Sequence, residues 1–478
     1  MRRTIRLIAG LSAVLFLSGL LVAAVPRALL QNHADVDSAQ PDGSTPLILA
    51  ANGNDLEAAA LLIKAGANVN ARNEYGATPL FAACTSDNTA MIKLLLDAQA
   101  DVNVALPSGE TPLMTAVDKA NMDAVRALLE HGADVNAKES EGGQTALMWA
   151  VANRNPDIVK LLLDHKADTH TRSKSGSTAL LFAAQQGDVE STRALLDAGA
   201  NPNETARRDG LSPLILAAES FSAEVENYDN KVPILLAERG ANTNAVDAGG
   251  FTALHYASGC MPDTNTSCKV ELSDQKRVEV VKALLAHGAN PNVRLTRVRG
   301  GDGVSLRGAT PIFFAAASGH AEVARTLTAG GADPFALTDG RTAPLHLAAG
   351  VGPPNARDWS DEEQKKMLET TKFFVELGAD VNAFGEHKWT PLHGAAYKGI
   401  DSVVQFLVEK GAKMDVFDEY GQTPLSIANS IITVGGKYAY GNSPREFHST
   451  TRDLLLKLGA TPVERSGVQI YELFHNQP

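Results

Sequence analysis

Three histidines form the most chemistry-like pattern in the chain. His255, His346 and His393 would make a metal-ligand or acid–base set if the fold brought them together. Each, however, ends a copy of one short motif: Thr-Ala-Leu-His at 252–255, Ala-Pro-Leu-His at 343–346 and Thr-Pro-Leu-His at 390–393. A histidine tied to a recurring motif is expected to stabilise neighbouring turns rather than to react. His131, His165 and His287 close predicted helices, where an imidazole suits the negative end of the helix dipole. The cysteines are Cys84, Cys260 and Cys268, too few for a disulfide framework and wrongly spaced for zinc. Cys84 falls in a helix that reads as buried. Cys260 and Cys268 flank a short polar insert and could close a loop in an oxidising compartment; two free thiols fit equally well. There is no glycine-rich phosphate loop followed by lysine, no His-Glu-x-x-His and no Gly-x-Ser-x-Gly elbow. Gly-Gly-Asp-Gly at 300–303 lacks calcium-loop spacing. The sequence therefore predicts no catalytic residues, no metal and no cofactor, and the chain does not read as an enzyme.

The elements that position these residues repeat. One unit reads Glu110-Thr111-Pro112-Leu113, an alanine-rich stretch, Val125-Arg126-Ala127-Leu128-Leu129, and Gly132-Ala133-Asp134-Val135-Asn136. Related starts fall at Thr45, Thr78, Thr111, Thr145, Thr178, Ser212, Thr252, Thr310, Ala343, Thr390 and Thr423. The commonest interval is about 33 residues, and with Thr-Pro-Leu-His this resembles the ankyrin-repeat family, in the style of bacterial exported members. The resemblance spans about residues 27–462. It implies an all-α solenoid of about 11 helix-turn-helix repeats with β-hairpin tips. The physical reasons agree. Thr caps a helix start, and Pro suits the first turn, where its missing N–H costs nothing. Paired alanines let helices approach closely, Leu-Leu fills the space between repeats, and the following Gly ends the second helix left-handed. A lone repeat cannot bury its apolar face, so stability must come from stacking.

Five stretches break the period: 219–231, 259–276, 295–308, 351–366 and 430–450. Insertions of this kind map to surface loops, and four of the five fall between the two helices of their repeats, which places them along one edge. At the start, Arg27 to Asp37 matches Arg126 to Asn136, so the array opens with half a repeat. Residues 463–478 include Val468, Ile470, Tyr471, Leu473 and Phe474, and are predicted to fold back as a cap or to serve as a docking motif.

The family resemblance implies that a protein partner touches hairpin tips and the concave face of the inner helices. The position two after the Leu of Thr-Pro-Leu should face that groove. It reads Leu49, Ala82, Thr115, Trp149, Phe182, Leu216, Tyr256, Phe314, Leu347, Gly394 and Ile427. From Trp149 to Leu347 it is wholly apolar or aromatic, which predicts an exposed interaction row; covered core positions are the alternative. At the tips, Tyr75, Phe251, Trp389 and Tyr420 are aromatic and are either contacts or packing between hairpins.

The N-terminus and the charge set the setting. Arg2, Arg3 and Arg6 precede an apolar run from Leu7 to Val25, so residues 1–26 read as a signal peptide, cleavable after Ala24, or as a membrane anchor. Either places the repeats outside the cytoplasm, periplasmic or tethered to the inner membrane. The formal net charge is −12, with 43 basic and 55 acidic residues, which argues against nucleic acid as the partner. Hydrophobic residues make up 44% and aromatics 5%, fitting a folded chain of small aliphatics. The expectation is a monomeric, exported protein-binding scaffold. A secreted effector acting on a host protein, or an enzyme with chemistry in the inserts, are the alternatives.

Overall fold

The computed structural model describes residues 35–206, 210–222, 230–259, 274–296, 305–352, 360–429 and 448–462. The export segment 1–26, most of the half-repeat, both Cys260 and Cys268, and the tail 463–478 lie outside the described residues, as do the central parts of the inserts. The chain divides into two compact units: residues 1–183 with 190–201, and residues 184–189 with 202–478.

The first part of the chain alternates a short first helix with a longer second one. The pairs are α1 (Pro46–Asn52) with α2 (Leu56–Lys64), α3 (Pro79–Thr85) with α4 (Thr89–Asp97), and α5 (Pro112–Asp118) with α6 (Met122–Glu130). Then come α7 (Ala146–Ala152) with α8 (Pro156–Asp164), and α9 (Ala179–Gln186) with α10 (Val189–Asp197). Each start follows from its cap. The hydroxyls of Thr45, Thr78, Thr111 and Thr145 accept from the backbone N–H three residues on, and proline opens α1, α3 and α5. Second helices use another short polar cap: Asp55, Asn88, Asn121 and Asn155. First helices pack on first helices (α1 on α3, α3 on α5, α5 on α7) and second on second, so the core is a continuous layer between repeats.

The second unit continues the scheme with α11 (Pro213–Ser222), α12 (Lys231–Glu238), α13 (Ala253–Ser258), α14 (Asp274–Ala286), α15 (Pro311–Ala317) and α16 (Ala321–Ala329). It ends with α17 (Pro344–Ala348), α18 (Asp361–Glu376), α19 (Pro391–Lys398), α20 (Asp401–Glu409), α21 (Pro424–Ala428) and α22 (Ser449–Leu458). Two inserts are partly helical. Residues 361–366 lengthen α18, which begins at a capping box of Ser360 and Glu363, and α14 begins inside the 259–276 stretch. The tips are hydrogen-bonded turns, such as Gly76 N–H to Asn73 C=O and Asn73 N–H to Ala77 C=O; no strand is assigned among the described residues.

Repeats are also pinned by one side chain. The amide of Asn244 accepts from Asn290 N–H at 2.7 Å and donates to Gly288 C=O at 2.8 Å. Asn103, Asn203, Asn292 and Asn382 do the same toward the next repeat. Asp37, at the end of the opening half-repeat, accepts from Asn68 N–H in the corresponding way.

Candidate interaction site

The motif histidines are structural pins. His393 Nδ1 accepts from Thr390 N–H at 3.1 Å, and its Nε2 lies 3.2 Å from Gln422 C=O of the next repeat. His346 repeats this with Ala343 N–H and Ala383 C=O. His255 holds Thr252 N–H. All three are buried, and desolvation pushes each imidazole down to about 4, against hydrogen bonds that favour the proton. An imidazole held neutral and enclosed this way is neither a ligand nor an acid–base group. His131, His165 and His287 each place Nδ1 within 3.0 Å of the carbonyl four residues back and so close their helices. Burial raises the Cys84 thiol far above the usual thiol range, so it stays protonated. Among the described residues, no group of three or more His, Cys, Asp and Glu could hold a metal ion.

The predicted aromatic row splits. Trp149, Phe182 and Leu216 are half-buried, so part of each side chain meets solvent. Tyr256, Phe314 and Leu347 are buried and present no open surface, contrary to expectation. The cause is packing. Phe251, His255, Tyr256 and Phe314 form one aromatic cluster, with ring centroids 5.5–5.9 Å apart, and Tyr256 Oη donates to Asp247 at 2.7 Å. Leu347 lies in α17, a five-residue helix whose every residue is buried.

The tips differ among themselves. Tyr75 is 60% exposed and remains a contact candidate. Phe251 belongs to the buried cluster. Trp389 is only 4% exposed, stacks on His393 and donates its indole N–H to Asp418 at 3.1 Å, so it is a core residue and not a contact. Burial pushes the Asp418 carboxyl up to about 6, while the Gln422 and Tyr420 N–H groups and the Trp389 indole pull the other way. Tyr420 is half-buried; its hydroxyl lies 3.1 Å from His387 Nδ1, and His387 also pairs with Glu419.

The sequence reading passed over one surface. Leu337, Phe384 and Phe417 occupy the same place in three consecutive repeats, six residues after the helix-ending glycines Gly331, Gly378 and Gly411, and they are 41%, 51% and 42% exposed. In the earlier repeats this place holds Arg72, Ala105, Lys138, Arg172, Thr205, Val246 and Arg294 in turn. Three large apolar residues in a row at a register position that is mixed in the earlier repeats are the signal that would have revealed it.

A model of ankyrin repeats matches residues 21–105, 99–173, 180–294 and 363–431, well over half the chain. The chain belongs to the ankyrin-repeat family. Further ankyrin models match 153–196 and 307–339. Ankyrin repeats are protein-interaction scaffolds, and this chain is accordingly a protein-binding scaffold built on an all-α ankyrin solenoid. Among curated proteins it is similar to the mouse ankyrin repeat, SAM and basic leucine zipper domain-containing protein 1. They are 32% identical over 141 residues, 30% of this chain and 24% of that protein. The namesake from Chlorocebus aethiops is 35% identical over 137 residues, 29% and 23% of the two chains. The match thus spans about a quarter of these relatives' length. Among solved structures, the ankyrin repeat domain of Bcl-3 shares 30% identity, with 40% of this chain and 86% of that one covered and a TM-score of 0.38. The human ASB11 ankyrin repeat domain shares 28%, covering 45% and 92%, also with a TM-score of 0.38. The curated relatives named are mammalian, so they lend no support to the bacterial exported style read from the sequence.

Proposed function

We propose that this ankyrin scaffold holds a protein partner on the inner-helix face of its regular unit, with Trp149 and Phe182 as anchors and Tyr75 as a tip contact. The carrying observation is the partial exposure of two large aromatics at the same register position of consecutive repeats, where the two preceding repeats place buried Ala82 and Thr115. Indole and phenyl rings in such positions offer large contact area for little lost side-chain freedom, which is why aromatics concentrate at binding hot spots. Affinity capture with the full chain, compared with Trp149→Ala and Phe182→Ala forms, tests this. The expected result is loss of the captured protein with the thermal midpoint nearly unchanged. A loss of several kcal/mol in stability would make the rings core residues and refute the reading.

The proposal includes export. Arg2, Arg3 and Arg6 followed by the apolar run from Leu7 to Val25 support a signal or anchor that carries the repeats out of the cytoplasm. Among the described residues no helix is long and apolar enough to cross a membrane, and the run itself lies outside them. Fractionation with N-terminal sequencing of the mature chain is the test; an uncleaved chain in the cytoplasm overturns this part.

A further inference from the structure

We draw no further inference here: the strongest candidate, the exposed apolar column of Leu337, Phe384 and Phe417 on three consecutive hairpins of the second unit, carries nothing because cations and carboxylates mix around it and nothing in the structure shows what covers it.

Discussion

The buried histidines make the second unit acid-labile in a way the first is not. His255, His346 and His393 lie in the second unit, while Ile48, Phe81, Met114, Met148 and Leu181 fill the same motif place in the first. Each of the three titrates near 4 in the folded chain against an ordinary 6.5. A depressed histidine pKa means the unfolded chain takes up protons first. The stabilisation is complete above pH 6.5 and falls as pH drops toward 4. At about 1.4 kcal/mol per pKa unit, each histidine costs about 2 kcal/mol between pH 7 and pH 5, or about 5.5 kcal/mol for all three. Asp418 opposes this. Its carboxyl is raised to about 6 from 3.8, so its folded form gains on protonation, returning about 1.5 kcal/mol by pH 5. The net loss is about 4 kcal/mol, a large part of an ordinary domain's stability. The geometry agrees: a proton on His393 Nδ1 would displace the bond it accepts from Thr390 N–H. Urea titrations near pH 7 and pH 5 read this out, using one variant that keeps only Trp389 and another that keeps only Trp149. The Trp389 signal should lose about 4 kcal/mol and the Trp149 signal far less. His393→Met, a residue the first unit already uses at this place, should remove about a third of the histidine slope. Equal pH dependence of the two units would refute the reasoning.

Trp389→Ala is expected to cost about 3–5 kcal/mol by urea midpoint, because the ring is enclosed and bonded to Asp418; a near-neutral result would restore it as a contact residue. Gly394→Ala should cost about 1–3 kcal/mol, since a Cβ there would sit 2.5 Å from Val351 Cγ2 and 2.6 Å from the Val351 backbone nitrogen. Asn292→Asp keeps the acceptor for Asp333 N–H but loses the donor to Gly331 C=O, and should cost about 1 kcal/mol; Asn292→Ala loses both bonds and should cost more.

The repeat was legible because its signals are local. A Thr-Pro start, an Ala pair, a Leu pair and a Gly end each act within one turn of helix, and their register survives eleven copies. Burial at the groove position was not legible, because it depends on the neighbours. Trp149 and Tyr256 hold the same place in the motif, yet Tyr256 has Phe251, Phe314 and the Asp247 carboxylate around it and is enclosed, while Trp149 is half open. The sequence left Phe251 and Trp389 between contact and packing for the same reason. A tip position reads as solvent-facing until the adjacent hairpin supplies Asp418, or the adjacent helix supplies Phe314, to close over it.

The histidines that first looked like chemistry show what the fold does with such residues. A neutral imidazole has one donor and one acceptor at opposite ends of a rigid ring. In His346 and His393 the acceptor holds the start of its own helix, and the donor reaches a carbonyl in the next repeat. An apolar side chain at the same place fills the volume but carries no directional link. The second unit, whose period is interrupted by every one of the five inserts, is the one that holds all three histidines. Directional pins matter most where stacking alone specifies register least, because an inserted loop removes the short connection that would otherwise set it. On this argument His346→Met should disturb the alignment of the repeats around the 351–366 insert more than Met148→Leu disturbs the regular unit. Hydrogen exchange of α17 and α18 against α7 and α8 measures that difference, and equal protection loss in the two would count against it.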